Sequence, residues 1–115
     1  MTTIHKQSAV LPVLGHGYTS DKPDAVRAFL QQHPEVVTFL TEAPPHLRRY
    51  FPDSPLCLDV IIDPDGSGAP EIQLTIVPTG APEDAIAGFE QFTAEWWGEQ
   101  FVQLQGKVGV LLEYR

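Results

Sequence analysis

Several short stretches of this chain hold residue types that could do chemistry. "DPDGSG", Asp63 to Gly68, sets oxygen-bearing side chains at alternate positions, Asp63, Asp65 and Ser67, with Gly68 next. That is the opening of a calcium-binding loop, since Ca²⁺ takes oxygen ligands from alternate residues. The closing bidentate Glu of such a loop is absent, because Leu74 holds the twelfth position. The flanking patterns are also strand-like rather than helical. A turn explains the stretch better, as Asp and Gly are the usual residues of hairpin loops.

Cys57 is the only cysteine, so an intramolecular disulfide is impossible and a thiol nucleophile would need a histidine partner. It falls mid-strand, away from any helix start that would lower its pKa. The four histidines, His5, His16, His33 and His46, lie in separate segments and none has zinc-ligand spacing. Nucleophile-elbow, phosphate-loop, dinucleotide-binding and H-E-x-x-H motifs are absent. The residues therefore imply no cofactor, no metal and no catalytic set.

"LRRYF", Leu47 to Phe51, is the one place where two basic residues adjoin aromatics. With His46 it offers a second candidate, a ligand cleft between the first helices and the sheet lined by His46, Arg48, Arg49 and Tyr50. The competing reading buries Leu47, Tyr50 and Phe51 and leaves the arginines solvated.

"GFEQFTAEWWGEQF", Gly88 to Phe101, is the most informative segment. Ala85, Phe89, Phe92 and Trp96 fall within an arc of roughly 60° on a helix, at 100° per residue. That arc predicts a core-facing stripe. Trp97 sits at its boundary, as core packing or as an exposed interface anchor, since Trp is enriched at binding hot spots. The wide apolar arc favours packing. Gly98 either stops the helix here or is passed through.

The whole chain has 115 residues, 15 acidic against 7 basic, a net charge of −8, and 43% apolar residues. Such a length suits one domain with its own core. The acidic balance opposes nucleic acid and anionic membranes and suits a basic protein partner. "AVLPVL", Ala9 to Leu14, is too short and too broken for a signal or a membrane span. The expectation is a soluble cytoplasmic protein.

These groups must be positioned by the following elements. Residues 1–19 read as an extended N-terminal arm, and 20–115 as a single α+β domain. A helix is expected to start near Ser20 or Asp21, with Pro23 in its first turn, and to stop at His33. A second starts at Pro34 and ends at "APP", Ala43 to Pro45, followed by a short helical turn. "LCLDVIID" and "EIQLTIV" alternate apolar and polar residues and predict a β-hairpin. A long helix from Pro82 and a C-terminal strand, "KVGVLLEYR", complete the order. Polar outer strand faces predict a small, mostly antiparallel sheet with the helices on one face. The arm could add a fourth strand.

The ordered segments "YFPDSPLCLDVIIDPDG", "EIQLTIVPTGAPEDAIAGFEQFTAEWW" and "GKVGVLLEY" resemble a family of small, stand-alone bacterial proteins of unknown function. The resemblance spans about residues 36–114. It implies a compact α+β module and transfers no catalytic or binding residues. The arm, with "LPVLGHG", departs from that pattern.

Two functions follow as expectations. The first is a non-catalytic interaction module, an adaptor or an antitoxin- or immunity-like acidic protein that masks a basic partner. Its contact surface would be Asp59, Asp63 and Asp65 with Glu95, Trp97 and Glu99. The alternative is a small-molecule or metal-binding protein, or a minor enzyme, using the His46–Tyr50 cleft. A homodimer through an exposed sheet edge is compatible with both.

Overall fold

The computed structural model describes residues 17–62 and 69–114. Its elements are β1 (Tyr18–Thr19), α1 (Pro23–Gln32), α2 (Pro34–Tyr50), β2 (Leu56–Ile61), β3 (Glu71–Ile76), α3 (Pro82–Phe92), a π-helical turn (Thr93–Trp97), α4 (Gly98–Leu104) and β4 (Val108–Leu112). The architecture is α+β, a four-stranded sheet with helices packed against it. Each of the three helical segments opens on a proline, whose missing N–H is harmless in a first turn.

The strands lie in the order β1-β2-β3-β4. β2 and β3 form the expected antiparallel hairpin, six pairs long from Leu56↔Ile76 to Ile61↔Glu71. The sheet as a whole is mixed, not mostly antiparallel. β1 runs parallel to β2, and β4 parallel to β3. The reason lies in the connection: a long helix between β3 and β4 carries the chain back to the starting end of β3, which makes a parallel pair. Tyr18–Thr19 supplies the fourth strand at the N-terminal edge.

Alternation along the strands defines two faces. Leu56, Leu58, Ile72, Leu74, Ile76 and Val108 are buried beneath the helices. Val26, Leu30, Val36, Leu40 and Leu47 fill the helix side and are at most 1% exposed. The space between the N-terminal helices and the sheet is therefore packed side chains.

α2 does not stop at "APP". It continues through Pro44 and Pro45 to Tyr50. Its buried residues Val36, Phe39, Leu40, Ala43 and Leu47 form one stripe that crosses the prolines. Each of the two prolines costs about 3 kcal/mol inside a helix. Burying the stripe beyond them, about 2 kcal/mol for Leu47 alone, offsets part of this. The carbonyl that Pro44 leaves without an amide is that of Leu40. The buried Tyr18 hydroxyl donates to it at 2.8 Å.

The long helix is also continuous. Gly98 does not end it: φ −56° and ψ −42° are helical, and its N–H donates to the Thr93 carbonyl five residues back. That bond adds one residue to the turn. Ala85 and Phe92 are seven residues apart, Phe92 and Trp97 five, Trp97 and Leu104 seven. The extra residue brings all four onto one buried face. In an unbroken α-helix Leu104 would lie about 120° away from Phe92.

Candidate functional site

Outward-facing strand positions assemble a concave polar surface. Thr19 pairs with Cys57, Cys57 with Thr75 and Thr75 with Leu111. One step along, Asp59 pairs with Gln73 and Gln73 with Gly109. These residues alternate with the core residues, so they occupy the sheet face opposite the helices. A depression of about 210 Å³ there is lined by Thr19, Ser20, Asp21, Cys57, Asp59, Gln73, Thr75 and Glu113.

Its floor is cross-linked by weak polar contacts. The Thr19 hydroxyl lies 3.6 Å from Cys57 Sγ and 3.4 Å from the Leu56 carbonyl. The Gln73 amide donates to the Thr75 hydroxyl at 3.5 Å, and Asp59 Oδ1 accepts from the Val60 N–H at 2.8 Å. Gly109 leaves room for Glu71: a Cβ there would lie 3.3 Å from the Glu71 carboxylate. Carboxylates thus dominate the surroundings of a floor of hydroxyls, amide and thiol. Such a surface suits a cation or a hydrogen-bond donor and repels an anion. The two described histidines, His33 and His46, lie on helical segments across the core, so neither can act as base for Cys57.

A second cluster lines the seam between α2 and the long helix. The Tyr50 hydroxyl donates to Glu95, and Arg49 pairs with the same carboxylate at 3.7 Å. The Glu95 hydrogen bond raises the Tyr50 pKa. Trp96 stacks on Phe39 at 5.1 Å and on His46 at 4.3 Å, with near-parallel rings. Arg49 and Tyr50 therefore meet Glu95, and His46 meets the neighbouring Trp96, along this seam. Arg48 turns away from them. It donates to the carbonyls of Phe51 at 2.9 Å and Ser54 at 2.7 Å and holds the turn into β2.

Trp97 is 6% exposed and belongs to the core, so it is no surface anchor. The π turn rotates it inward, while Trp96, expected in the core stripe, is only half-buried. Glu99 is exposed on α4. Asp63 and Asp65, with the calcium-like loop, fall outside the described residues, as do His5 and His16. Among the described residues no group of three or more His, Cys, Asp or Glu side chains could hold a metal ion, and no helix is long and apolar enough to cross a membrane.

Of the described sequence-derived site residues only Asp59 lies in the sheet-face depression. Thr19, Cys57, Gln73, Thr75 and Glu113 were not anticipated there. Their signal was their outward parity on the strands, which becomes a surface only once the strand order is known. No family model, curated protein or solved structure matches the chain.

Proposed function

We propose that this protein is a non-catalytic interaction module that receives a basic segment of a partner protein on the open face of its sheet. The observation that carries the reading is the set of carboxylates, Asp21, Asp59, Glu71 and Glu113, around a concave polar floor. A chain of net charge −8 steers such a partner toward itself from a distance. The depression is about 210 Å³. That is below the roughly 300 Å³ at which small-molecule pockets begin, and it supports side-chain reception over metabolite binding. Masking a basic surface, as an adaptor or an immunity-like protein does, needs no chemistry beyond this.

Titration with a short peptide rich in arginine and lysine, followed by backbone amide NMR, tests the proposal. Shifts are expected to cluster at Thr19, Cys57, Gln73 and Thr75 and to fade with added salt. Asp59→Asn together with Glu71→Gln should weaken binding about five- to thirtyfold, in line with about 0.5–1 kcal/mol per exposed charge. Shifts spread over the helix layer, or none, would reject it. A thermal-shift screen with metal ions and metabolites addresses the alternative: a rise of several degrees with one ligand class would favour a small-molecule or metal-binding protein.

A further inference from the structure

The two edges of the sheet are unlike. One ends in β1, only two residues long. The other ends in β4, a five-residue run, Val-Gly-Val-Leu-Leu, in unbroken register with β3. Sheet edges are ordinarily blunted by proline, bulges or projecting lysine. β4 has no proline and no bulge, and the neighbouring Lys107 ammonium is held by Glu35 at 2.8 Å.

The parallel ladder fixes which backbone groups face outward. The Lys107 carbonyl accepts from the Ile72 N–H at 2.8 Å, and the Glu113 N–H donates to the Ile76 carbonyl at 3.0 Å. Residues of that parity, 107, 109, 111 and 113, turn toward β3. The N–H and C=O groups of Val108, Val110 and Leu112 therefore point away from the sheet. Among the described residues no strand lies beyond β4.

An apolar helix flank lies on the same side of the molecule. α1 packs on β2, α2 packs between α1 and the long helix, and α4 packs on β4. Gly88 faces α2, since a Cβ there would lie 3.3 Å from Tyr50 Cβ. Gln100 lines a groove with Glu35 and Thr38 of α2. Ile86 and Val102 are each two residues from these, about 200° round the helix, and so face away from α2. Ile86 is 52% exposed and Val102 73%.

We infer that the β4 edge is a self-association surface, and that a second copy of this chain pairs with it in antiparallel register about Val110. In that register Val110 meets Val110 of the partner copy, and Val108 meets Leu112. Every outward group then finds a mate, about six hydrogen bonds in all, because each such pair exchanges two. The apolar side chains of these positions continue one core across the join. Positions 107 and 113, of opposite charge, fall opposite each other. The interface is self-complementary, as a two-fold requires, and the flanks bearing Ile86 and Val102 lie beside it. The result is one eight-stranded sheet with both open faces on the same side.

Sedimentation velocity on the full chain over a wide concentration range tests this. A particle of twice the 12.7 kDa chain mass is expected. Val110→Pro removes one outward N–H and no bond to β3, a substitution that edge strands tolerate. Val102→Glu sets like charges beside the two-fold on a residue too exposed to affect folding. Each should weaken the dimer about tenfold or more, with the far-ultraviolet circular dichroism of Val102→Glu unchanged. Asp59→Asn, on the open face, should leave the dimer intact. A monomer at every concentration, or a dimer indifferent to Val102→Glu and Val110→Pro, would overturn the inference.

Discussion

A methyl group at position 98 would sit 2.9 Å from the Thr93 carbonyl oxygen, closer than a side-chain carbon approaches a backbone oxygen. In an ordinary helix interior, Gly→Ala stabilises by about 1 kcal/mol. Here the sign should reverse, because the π turn must shift to admit the methyl and Trp97 turns with it. Overpacking of this kind costs about 1–3 kcal/mol. Gly98→Ala is therefore expected to destabilise by about 1 kcal/mol net, after the helix-propensity gain is subtracted. Urea unfolding measures the loss, and a red shift of tryptophan emission would report Trp97 leaving the core. A gain in stability would mean that the turn reverts to plain α-helix without penalty. The π turn left a trace in the sequence, the seven-five-seven spacing of Ala85, Phe92, Trp97 and Leu104. Reading it required knowing that Leu104 is core, and a regular helix through Phe89, Phe92 and Trp96 explained the nearer residues equally well.

At the scale of the element, α2 runs through Pro44 and Pro45, and a residue outside it supplies the donor that Pro44 lacks. Tyr18→Phe removes that donor and strands the buried Leu40 carbonyl, which costs about 1–3 kcal/mol. Pro44→Ala restores an amide for the same carbonyl. In that background the Tyr18→Phe penalty should fall by half or more, and a double-mutant cycle reads the coupling. Equal penalties in both backgrounds would mean that the hydroxyl does not replace the amide. Burial also pushes the Tyr18 pKa well above its ordinary value, with Arg48 opposing weakly. A group whose pKa is raised on folding contributes its full stability below the unfolded pKa, near ~10 for tyrosine, and loses it as pH rises toward the folded value. Stability should thus fall above about pH 10, by at most ~1.4 kcal/mol per pH unit for one proton. Tyr18→Phe should flatten that fall, as denaturation at several alkaline pH values would show. Helix starts at Pro23, Pro34 and Pro82 were legible because a proline's effect there is local. The continuation past Pro44 was not, because its compensation comes from a residue more than twenty positions away. The parallel β3–β4 pair escaped for a similar reason: strand parity gives the faces, while direction is set by the crossover.

For the whole molecule, the excess of negative charge acts in two opposite ways. The lysine and arginine ion pairs between described residues, Asp24–Arg27, Glu35–Lys107 and Glu95–Arg49, lie at the surface. Each is worth about 0–1 kcal/mol. Glu35, held below the usual carboxylate range by its hydrogen bond from Lys107, ties the start of α2 to the turn before β4. Against these stands the mutual repulsion of a chain with 15 acidic and 7 basic residues. Salt screens both, but the repulsion is summed over many charges and should dominate. Moderate salt is therefore expected to raise the melting temperature of the free protein. The β4–β4 association brings two acidic chains together, so salt should strengthen it as well. Binding of a basic peptide on the open face has the opposite sign, since the same ions screen the attraction. One salt series thus separates the three: melting temperature and dimer fraction should rise while peptide affinity falls. Asp59→Asn with Glu71→Gln should shrink the peptide's salt dependence more than the dimer's, because the peptide meets these two carboxylates directly while the dimer feels them only as part of the net charge. Peptide affinity indifferent to salt would remove the acidic face from the proposal, and a dimer that salt dissociates would place charge pairing, rather than the apolar edge, at its centre.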